Sequence, residues 1–306
     1  MCCLFGVLDY NQNLTQKQLN KTISILSTAC EARGTDATGI SYNIETNLSV
    51  FKRPLPAHFM RYRMPKNVNF VMGHTRLSTQ GDEKFNYNNH PFAGKVGNTN
   101  FALAHNGVLH NDLILRRTEG LPKTNIETDS YVAVQLIEKK GTLDFDSLKY
   151  MAEQLEGSFT ITVMDREDNM YFVKGDNPMC IYHFKDKGIY IYASTEEILQ
   201  KALKKIPYKF GRYEKVDLFS GDILKIDKFG QQTKAEFNAD KLFMYGYHYM
   251  RWYEPDIKVR DDKAEKEYVS MLKNVAASMG YSKEYVDYLL AEGFTTDDVE
   301  DVLYCS

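Results

Sequence analysis

Four short apolar segments follow one another between residues 158 and 193, with only a few residues between them. The connecting residues are turn formers, among them Asp-Asn, Gly-Asp-Asn-Pro and Lys-Asp-Lys-Gly. Parallel strands need a crossover of a dozen or more residues, so segments this close together favour antiparallel pairing. This run therefore predicts an antiparallel sheet with the strands Ser158–Asp165, Met170–Lys174, Cys180–Phe184 and Gly188–Ala193.

Helices and further strands precede and follow this run. The first helix is predicted at 15–33, because Thr15 and Gln18 form a capping box and apolar residues then recur at helical spacing. Other helices are predicted at 128–139, 144–155 and 196–205. Other strands are predicted at 2–8, 39–43, 48–52, 69–74, 101–105, 222–227 and 233–237. The mixture indicates an α+β body that ends near residue 240.

Beyond residue 240 the pattern changes to helical segments only, at 265–279, 282–292 and 296–303. We predict a body over 1–240, and a linker with a small helical tail over 241–306. Two hypotheses for the tail stay open. Its helices, with Met279-Gly280-Tyr281, resemble a ubiquitin-associated-like fold that docks partner proteins. Alternatively, they cap an apolar patch on the body, which we favour because apolar residues at helical spacing are usually core.

Composition excludes several classes of protein. With 43% apolar and 26% charged residues the chain is not disordered, and a net charge of -3 gives no footprint for nucleic acid. No segment reaches the roughly 18 apolar residues of a membrane helix. The five cysteines form no Cys-x-x-Cys, which favours a reducing cytoplasm over a disulfide framework. Histidines without spaced partners predict no metal, and we expect no cofactor.

Cys2 is the first candidate for catalysis. If Met1 is removed, the α-amine of Cys2 becomes free, with a reference pKa of about 7.7–8.0. That amine can act as the general base for the thiol, which must become a thiolate to attack. Taken alone, a cysteine at this position is more often a small buried apolar residue.

Three further polar groups lie at the ends of predicted elements. Arg76 begins a hydroxyl-rich loop, and a guanidinium can hold a carboxylate in bidentate fashion. Asn106 and Gly107 end a predicted strand with an amide and a backbone N–H, the donors that an oxyanion hole uses. Asp129 is predicted at the start of a helix, where it can accept from an ammonium.

Each of these groups also has a simpler interpretation. Arg76 can be a surface charge, Asn106-Gly107 a hairpin turn and Asp129 a first-turn helix stabiliser. Together, however, they fit one substrate, an α-amino acid. Its ammonium needs an anion, its carboxylate needs a cation, and a thiolate with an oxyanion hole must face a side-chain carbonyl.

The order of the motifs resembles one known family. The motifs are Met1-Cys2-Cys3-Leu4-Phe5-Gly6, Arg33-Gly34-Thr35-Asp36-Ala37-Thr38-Gly39, Gly73-His74-Thr75-Arg76, Asn88-Asn89-His90-Pro91, His105-Asn106-Gly107, Glu127-Thr128-Asp129-Ser130 and Glu156-Gly157-Ser158-Phe159. Over roughly residues 2–235 this set is similar to class II glutamine amidotransferase domains, which are N-terminal nucleophile hydrolases. Examples are the glutaminase halves of glucosamine-6-phosphate synthase and glutamine phosphoribosylpyrophosphate amidotransferase.

The resemblance implies a fold and a reaction. The fold would be a four-layer α/β/β/α sandwich of two antiparallel sheets, with the helical tail attached. Cys2 would attack the side-chain amide of glutamine, release ammonia and form a thioester that water hydrolyses to glutamate. Asn106 and the N–H of Gly107 would stabilise the oxyanion.

The resemblance also implies how glutamine is bound. Arg76 would hold the α-carboxylate, with Thr79 nearby, and Asp129 would hold the α-ammonium. Arg33 would order the N-terminal strand and the site.

Two departures from the family pattern bear on activity. Cys3 stands where the family has glycine, so its side chain would crowd the nucleophile if it pointed into the site. Leu77 stands where the synthase relatives have an aromatic residue in the loop that closes over glutamine.

The sequence contains no recognisable ammonia-acceptor module. The segment 241–306 is too short for a phosphoribosyltransferase or sugar isomerase domain, and no ATP-binding or pyrophosphatase motif is present. We therefore expect a glutaminase that supplies ammonia to a separate acceptor subunit, or a simple amidohydrolase. The alternatives are an inactive glutamine-binding or scaffolding relative that acts through its tail, and a hydrolase of other γ-glutamyl compounds.

Overall fold

The structure is a computed structural model that describes residues 2–240, 242, 262–292, 294, 296, 299, 302 and 303. The chain forms two compact units, residues 1–248 and residues 249–306. The assignment of 1–240 to a glutaminase domain and of 241–306 to a linker and tail stays a prediction.

The first unit contains two antiparallel sheets. The seven-stranded sheet consists of β1 (Cys3–Asp9), β2 (Ala37–Ile44), β3 (Asn47–Arg53), β4 (Phe70–Arg76), β9 (Cys180–Phe184), β10 (Ile189–Ala193) and β11 (Glu214–Lys215). The six-stranded sheet consists of β5 (Phe92–Val96), β6 (Thr99–Leu109), β7 (Gly157–Asp165), β8 (Met170–Lys174), β12 (Asp222–Ile226) and β13 (Gln232–Glu236). Their strand orders are β11-β9-β10-β1-β4-β2-β3 and β13-β12-β8-β7-β6-β5, so β1 lies in the middle of the first sheet.

The described part of this unit includes the α-helices α1 (Gln16–Cys30), α2 (Asp112–Thr118), α3 (Tyr131–Lys140), α4 (Phe145–Gln154) and α5 (Glu196–Lys205). The capping box predicted for α1 is confirmed, because Thr15 accepts from the backbone of Gln18 and the Gln18 side chain reaches back to the Thr15 backbone. The charges of α5 follow the helix dipole, because Glu196 and Glu197 lie in its first turn and Lys204 and Lys205 in its last.

The apolar core has the layers of a four-layer α/β/β/α sandwich, which confirms the predicted fold class. One cluster joins α1 and α5 to the seven-stranded sheet, and it contains Phe5 and Val7 of β1. A second cluster fills the space between the sheets and contains Leu4 and Leu8. A third joins α3 and α4 to the six-stranded sheet. Successive side chains of β1 enter the two clusters alternately, because side chains along a strand point to opposite faces of the sheet.

Some boundaries differ from the prediction. The strand predicted to end at residue 105 continues through Asn106 and Gly107 to Leu109, which pairs with Gly157. The interpretation of Asn106-Gly107 as a hairpin turn is therefore wrong. The helix predicted from residue 128 begins only at Tyr131, and β5, β11 and α2 were not predicted.

The second unit contains α6 (Asp262–Ser278) and α7 (Lys283–Ala291), where two tail helices were predicted. The predicted helix at 296–303 lies largely outside the described residues. The unit has an apolar cluster of its own, formed by Leu272, Val275, Ala276, Val286, Leu289, Val299 and Leu303. Within the described parts of the chain, no helix combines the length and apolar character needed to cross a membrane.

A truncation after residue 240 tests whether the body folds by itself. Because each unit has its own apolar core, we expect the truncated chain to unfold cooperatively, with a Tm within about 4 °C of the full chain. Differential scanning calorimetry and gel filtration measure this. Aggregation of the truncated chain would instead favour the hypothesis that the tail caps an apolar patch.

Candidate active site

Cys2 lies directly before the central strand β1, at one end of the seven-stranded sheet. Its Sγ donates a hydrogen bond to the carbonyl oxygen of Leu77, 3.5 Å away. Cys3 is fully buried and belongs to the cluster on the α1 side, with Phe5 and Val7. The side chain of Cys3 therefore faces the helices and does not enter the space between the sheets.

The segment 33–36 ties Cys2 to the loop that carries Arg76. Arg33 Nε donates to the carbonyl oxygen of Cys2 at 2.9 Å, and the N–H of Asp36 donates to the carbonyl oxygen of Arg76 at 2.9 Å. Between them, a Cβ on Gly34 would lie 2.5 Å from the carbonyl carbon of Arg76. Glycine is required there because only a residue without a side chain lets the two backbones approach this closely.

Arg76 is the last residue of β4 and is only 2% exposed. Its Nη1 donates to Oδ1 of Asn89 at 2.7 Å, and its Nη2 donates to the carbonyl oxygens of Gln80 and Gly81 at 2.6 and 2.8 Å. These partners are neutral, so they orient the guanidinium without cancelling its charge. Thr79 lies in the exposed part of the same loop.

Asn106 and Gly107 lie inside β6. Asn106 is 1% exposed, and its Nδ2 is 3.4 Å from Oγ of Ser194, which also accepts from the N–H of Leu4 at 2.8 Å. Ser194 thus connects Asn106 in one sheet to β1 in the other. Gly107 has φ +143°, and a Cβ there would lie 1.8 Å from the carbonyl oxygen of Ser158, so no other residue fits without displacing the backbone.

Asp129 precedes α3 and is 2% exposed. Its Oδ2 accepts from the N–H of Leu109 at 2.6 Å, and its Oδ1 accepts from Oγ of Ser130 at 3.2 Å. Neutral donors therefore hold this carboxylate too, and its negative charge stays available.

The charges of Arg76 and Asp129 both act on Cys2. Burial raises the pKa of the Cys2 thiol above its ordinary value; the guanidinium of Arg76 lowers that pKa and the carboxylate of Asp129 raises it. A thiol with a raised pKa is protonated at neutral pH and needs a base to become a nucleophile. The structure therefore brings together Cys2, Arg76 and Asp129, with Arg33 on the Cys2 backbone.

Three buried histidines lie beneath these groups. His74 Nε2 is 2.9 Å from the carbonyl oxygen of His105, and the rings of His74 and His90 are 4.2 Å apart. Nδ1 of His105 is 2.7 Å from Oγ of Ser130, next to Asp129. Burial lowers the pKa of all three histidines, that of His74 to about 3. Among the described residues no group of three or more His, Cys, Asp or Glu is arranged to hold a metal ion.

Sequence reasoning missed two residues near these groups. Ser194 follows β10 without any motif, and its contacts are with residues far away in the chain. Lys52 is buried, and its Nζ donates to the carbonyl oxygens of Asn89 and Pro91. Burial, together with the positive charge of Arg76, lowers the pKa of Lys52 to about 8. No local pattern marks either residue.

Comparison with known sequences identifies similar proteins. Residues 74–201 match the family described as glutamine amidotransferase domain. Over 186 residues the chain is 31% identical to the isomerizing glutamine–fructose-6-phosphate aminotransferase of Bacillus spizizenii and 32% identical to that of Bacillus licheniformis. Each comparison covers 58% of this chain and 30% of the relative, so the matched part spans less than a third of these curated relatives.

Two solved structures share the fold. Glutamine phosphoribosylpyrophosphate amidotransferase from B. subtilis superposes with a TM-score of 0.60 at 21% identity, over 78% of this chain and 49% of that one. A structure described as the allosteric regulatory enzyme of purine biosynthesis gives 0.61 at 19% identity, over 90% and 58%. At these identities the likeness concerns the fold alone.

The buried histidines predict a loss of stability in acid. A histidine that is neutral when folded, with its pKa lowered to about 3 at His74, takes up its proton near pH 6.5 once unfolded. The unfolded state therefore binds more protons between pH 6.5 and 3, and stability falls as the pH falls through that window. For His74 the slope is about 1.4 kcal/mol per pH unit.

Urea unfolding from pH 7 to pH 4 tests this, with His74→Gln as the comparison. Glutamine keeps an N–H donor for the His105 carbonyl but does not titrate. The free energy of unfolding should fall less steeply with decreasing pH in the variant than in the wild type. The difference in slope should be about 1.4 kcal/mol per pH unit. Equal slopes would show that His74 does not stay neutral in the folded protein.

Proposed function

Because this chain contains a class II glutamine amidotransferase domain, we propose that it hydrolyses the side-chain amide of L-glutamine to glutamate and ammonia. The observation that carries the proposal is that the half-buried thiol of Cys2 hydrogen-bonds to the carbonyl oxygen of Leu77, the residue after the buried Arg76. The charges of Arg76 and of the buried Asp129 both act on this thiol. These are the groups that an α-amino acid with a reactive side-chain carbonyl requires.

Substrate binding rests on the two charged groups. The α-carboxylate pairs with Arg76, whose Nε–H and one Nη1–H are not among the donors held by Asn89, Gln80 and Gly81. The α-ammonium pairs with Asp129. Thr79, in the exposed part of the loop after Arg76, lies near the carboxylate.

Catalysis begins after residue 1 is removed. The α-amine of Cys2 takes the thiol proton, directly or through one water, and Sγ attacks the amide carbon of glutamine. The Asn106 amide and the Gly107 N–H stabilise the oxyanion. Collapse of the tetrahedral intermediate expels the nitrogen as ammonia, with the proton held by the amine, and leaves a γ-glutamyl thioester. Water then attacks the thioester, and the thiol leaves to regenerate the enzyme.

Ammonia released in this way serves a separate acceptor subunit. The relatives are aminotransferases, and this chain covers 30% of their length. The predicted cytoplasmic location agrees with a small charged substrate and free thiols.

Two alternatives make different predictions. An inactive glutamine-binding or scaffolding relative would bind glutamine without releasing ammonia. Cys3 gives little support to an inactive relative, because its side chain faces the helices and does not crowd Cys2. A hydrolase of other γ-glutamyl compounds would release an amine from them faster than ammonia from glutamine. Measuring ammonia and glutamate from glutamine, with and without a candidate partner, and amine release from other γ-glutamyl compounds separates all three functions.

The assignment of the two charged groups predicts matched effects on binding. Arg76→Ala or Asp129→Ala each removes one charge-assisted contact, worth about 1.5–3 kcal/mol, or roughly 10- to 150-fold. We expect the KM for glutamine to rise by that factor in steady-state assays. A KM that Arg76→Ala leaves unchanged would show that the carboxylate binds elsewhere.

Cys2 and Cys3 make a matched pair for testing the nucleophile. Because Cys3 faces α1, a glutamine-like electrophile should label Cys2 alone, as read by peptide mass spectrometry. Cys2→Ala should abolish glutamine hydrolysis, whereas Cys3→Gly should preserve it or raise it. Label on Cys3, or full activity of a form that retains Met1, would contradict the N-terminal nucleophile mechanism.

A further inference from the structure

Two adjacent asparagines, Asn88 and Asn89, connect both charged groups of the site to one turn. Both are completely buried, with 0% of their surface exposed. Neither side chain carries a charge, and neither belongs to the groups assigned above to the reaction. A buried side-chain amide is costly unless it is hydrogen-bonded, so its partners indicate what it does.

Asn89 holds the cationic end. Its Oδ1 accepts from Nη1 of Arg76 at 2.7 Å, and its Nδ2 donates to the carbonyl oxygen of Glu83 at 2.7 Å. Nδ2 also lies 3.4 Å from Oδ1 of Asn86. The Asn89 carbonyl accepts in turn from Nζ of Lys52. The amide is thereby fixed on both sides, with its oxygen directed at the guanidinium.

Asn88 holds the anionic end. Its Oδ1 accepts from the N–H of Glu127 at 2.9 Å, and its Nδ2 donates to Oε2 of Glu127 at 2.8 Å and to the carbonyl oxygen of Asp82 at 3.1 Å. Its backbone carbonyl accepts from Oγ1 of Thr128 at 2.9 Å. Asn88 thus hydrogen-bonds to Glu127 and Thr128, which come immediately before Asp129. These contacts position the Asp129 carboxylate.

We propose that Asn88 and Asn89 are positioning residues that set the spacing between the ammonium-binding and carboxylate-binding groups, and so select a free α-amino acid. This inference rests on the proposed function. Their polar side-chain atoms are already hydrogen-bonded within the protein, so they act through Asp129 and Arg76. Because Asn88 and Asn89 are adjacent in the chain, one turn carries the contact to each end of the site.

Two substrate analogues separate the two ends. The α-amide of L-glutamine keeps the ammonium and lacks the carboxylate, whereas 4-carbamoylbutanoate keeps the carboxylate and lacks the ammonium. The ratio of kcat/KM for glutamine to that for each analogue measures how strongly each end is recognised. These ratios are compared in the wild type, Asn88→Ala and Asn89→Ala, so that each variant is the control for the other.

We expect Asn88→Ala and Asn89→Ala to affect opposite preference ratios. Loss of one charge-assisted contact costs roughly 10- to 150-fold, so the wild type should prefer glutamine to each analogue by that order. Asn89→Ala should reduce the preference over the α-amide at least about fivefold and leave the preference over 4-carbamoylbutanoate unchanged. Asn88→Ala should do the reverse. In both variants the KM for glutamine should rise more than kcat falls.

Other outcomes identify which statement fails. A wild type that does not hydrolyse glutamine overturns the proposed function. Suppose that the wild type hydrolyses glutamine and prefers it over each analogue. If these two preferences are unchanged in Asn88→Ala and in Asn89→Ala, only the positioning role is overturned. Equal losses at both ends in either variant also overturn that role, because they indicate general loosening. If an alanine variant does not fold by circular dichroism, the serine variant at the same position is measured against the same criteria.

Discussion

The position of Cys2 depends on how the start of β1 is held between neighbouring elements. Arg33 donates to the carbonyl of Cys2, and Ser194 accepts from the N–H of Leu4, so the backbone on both sides of Cys3 is fixed. β1 is also flanked by β4 and β10 in the middle of its sheet. A chain terminus normally frays. In the proposed mechanism Cys2 becomes the terminus, and these contacts give it a defined position.

The two charged groups of the site share one design principle. Arg76 is oriented by an amide and two backbone carbonyls, and Asp129 by a backbone N–H and a hydroxyl. Neutral dipoles fix each group without neutralising it, whereas a direct salt bridge between the two would consume both charges. In the proposed function, zwitterionic glutamine supplies the counter-charges. Such a preorganised site needs little rearrangement when the substrate binds.

Much of this fold could be predicted from local sequence patterns. The helix at Glu196–Lys205 was predicted to the residue, because an amphipathic pattern there begins with acidic residues and ends with lysines. β6 was cut short at His105, because Asn-Gly usually marks a turn, whereas here Gly107 continues the strand at φ +143°. The site residues carried by motifs could be proposed in advance. Ser194 and Lys52 could not, because their partners are brought close only by folding.

The most direct test of this account is to mix the protein with glutamine, quench it with acid during turnover and map the N-terminal peptide by mass spectrometry. The account predicts a peptide that begins at Cys2 and carries a γ-glutamyl thioester on that residue, which hydroxylamine removes. Steady turnover of glutamine with no adduct at Cys2, or with the adduct on a peptide that still begins at Met1, would contradict it.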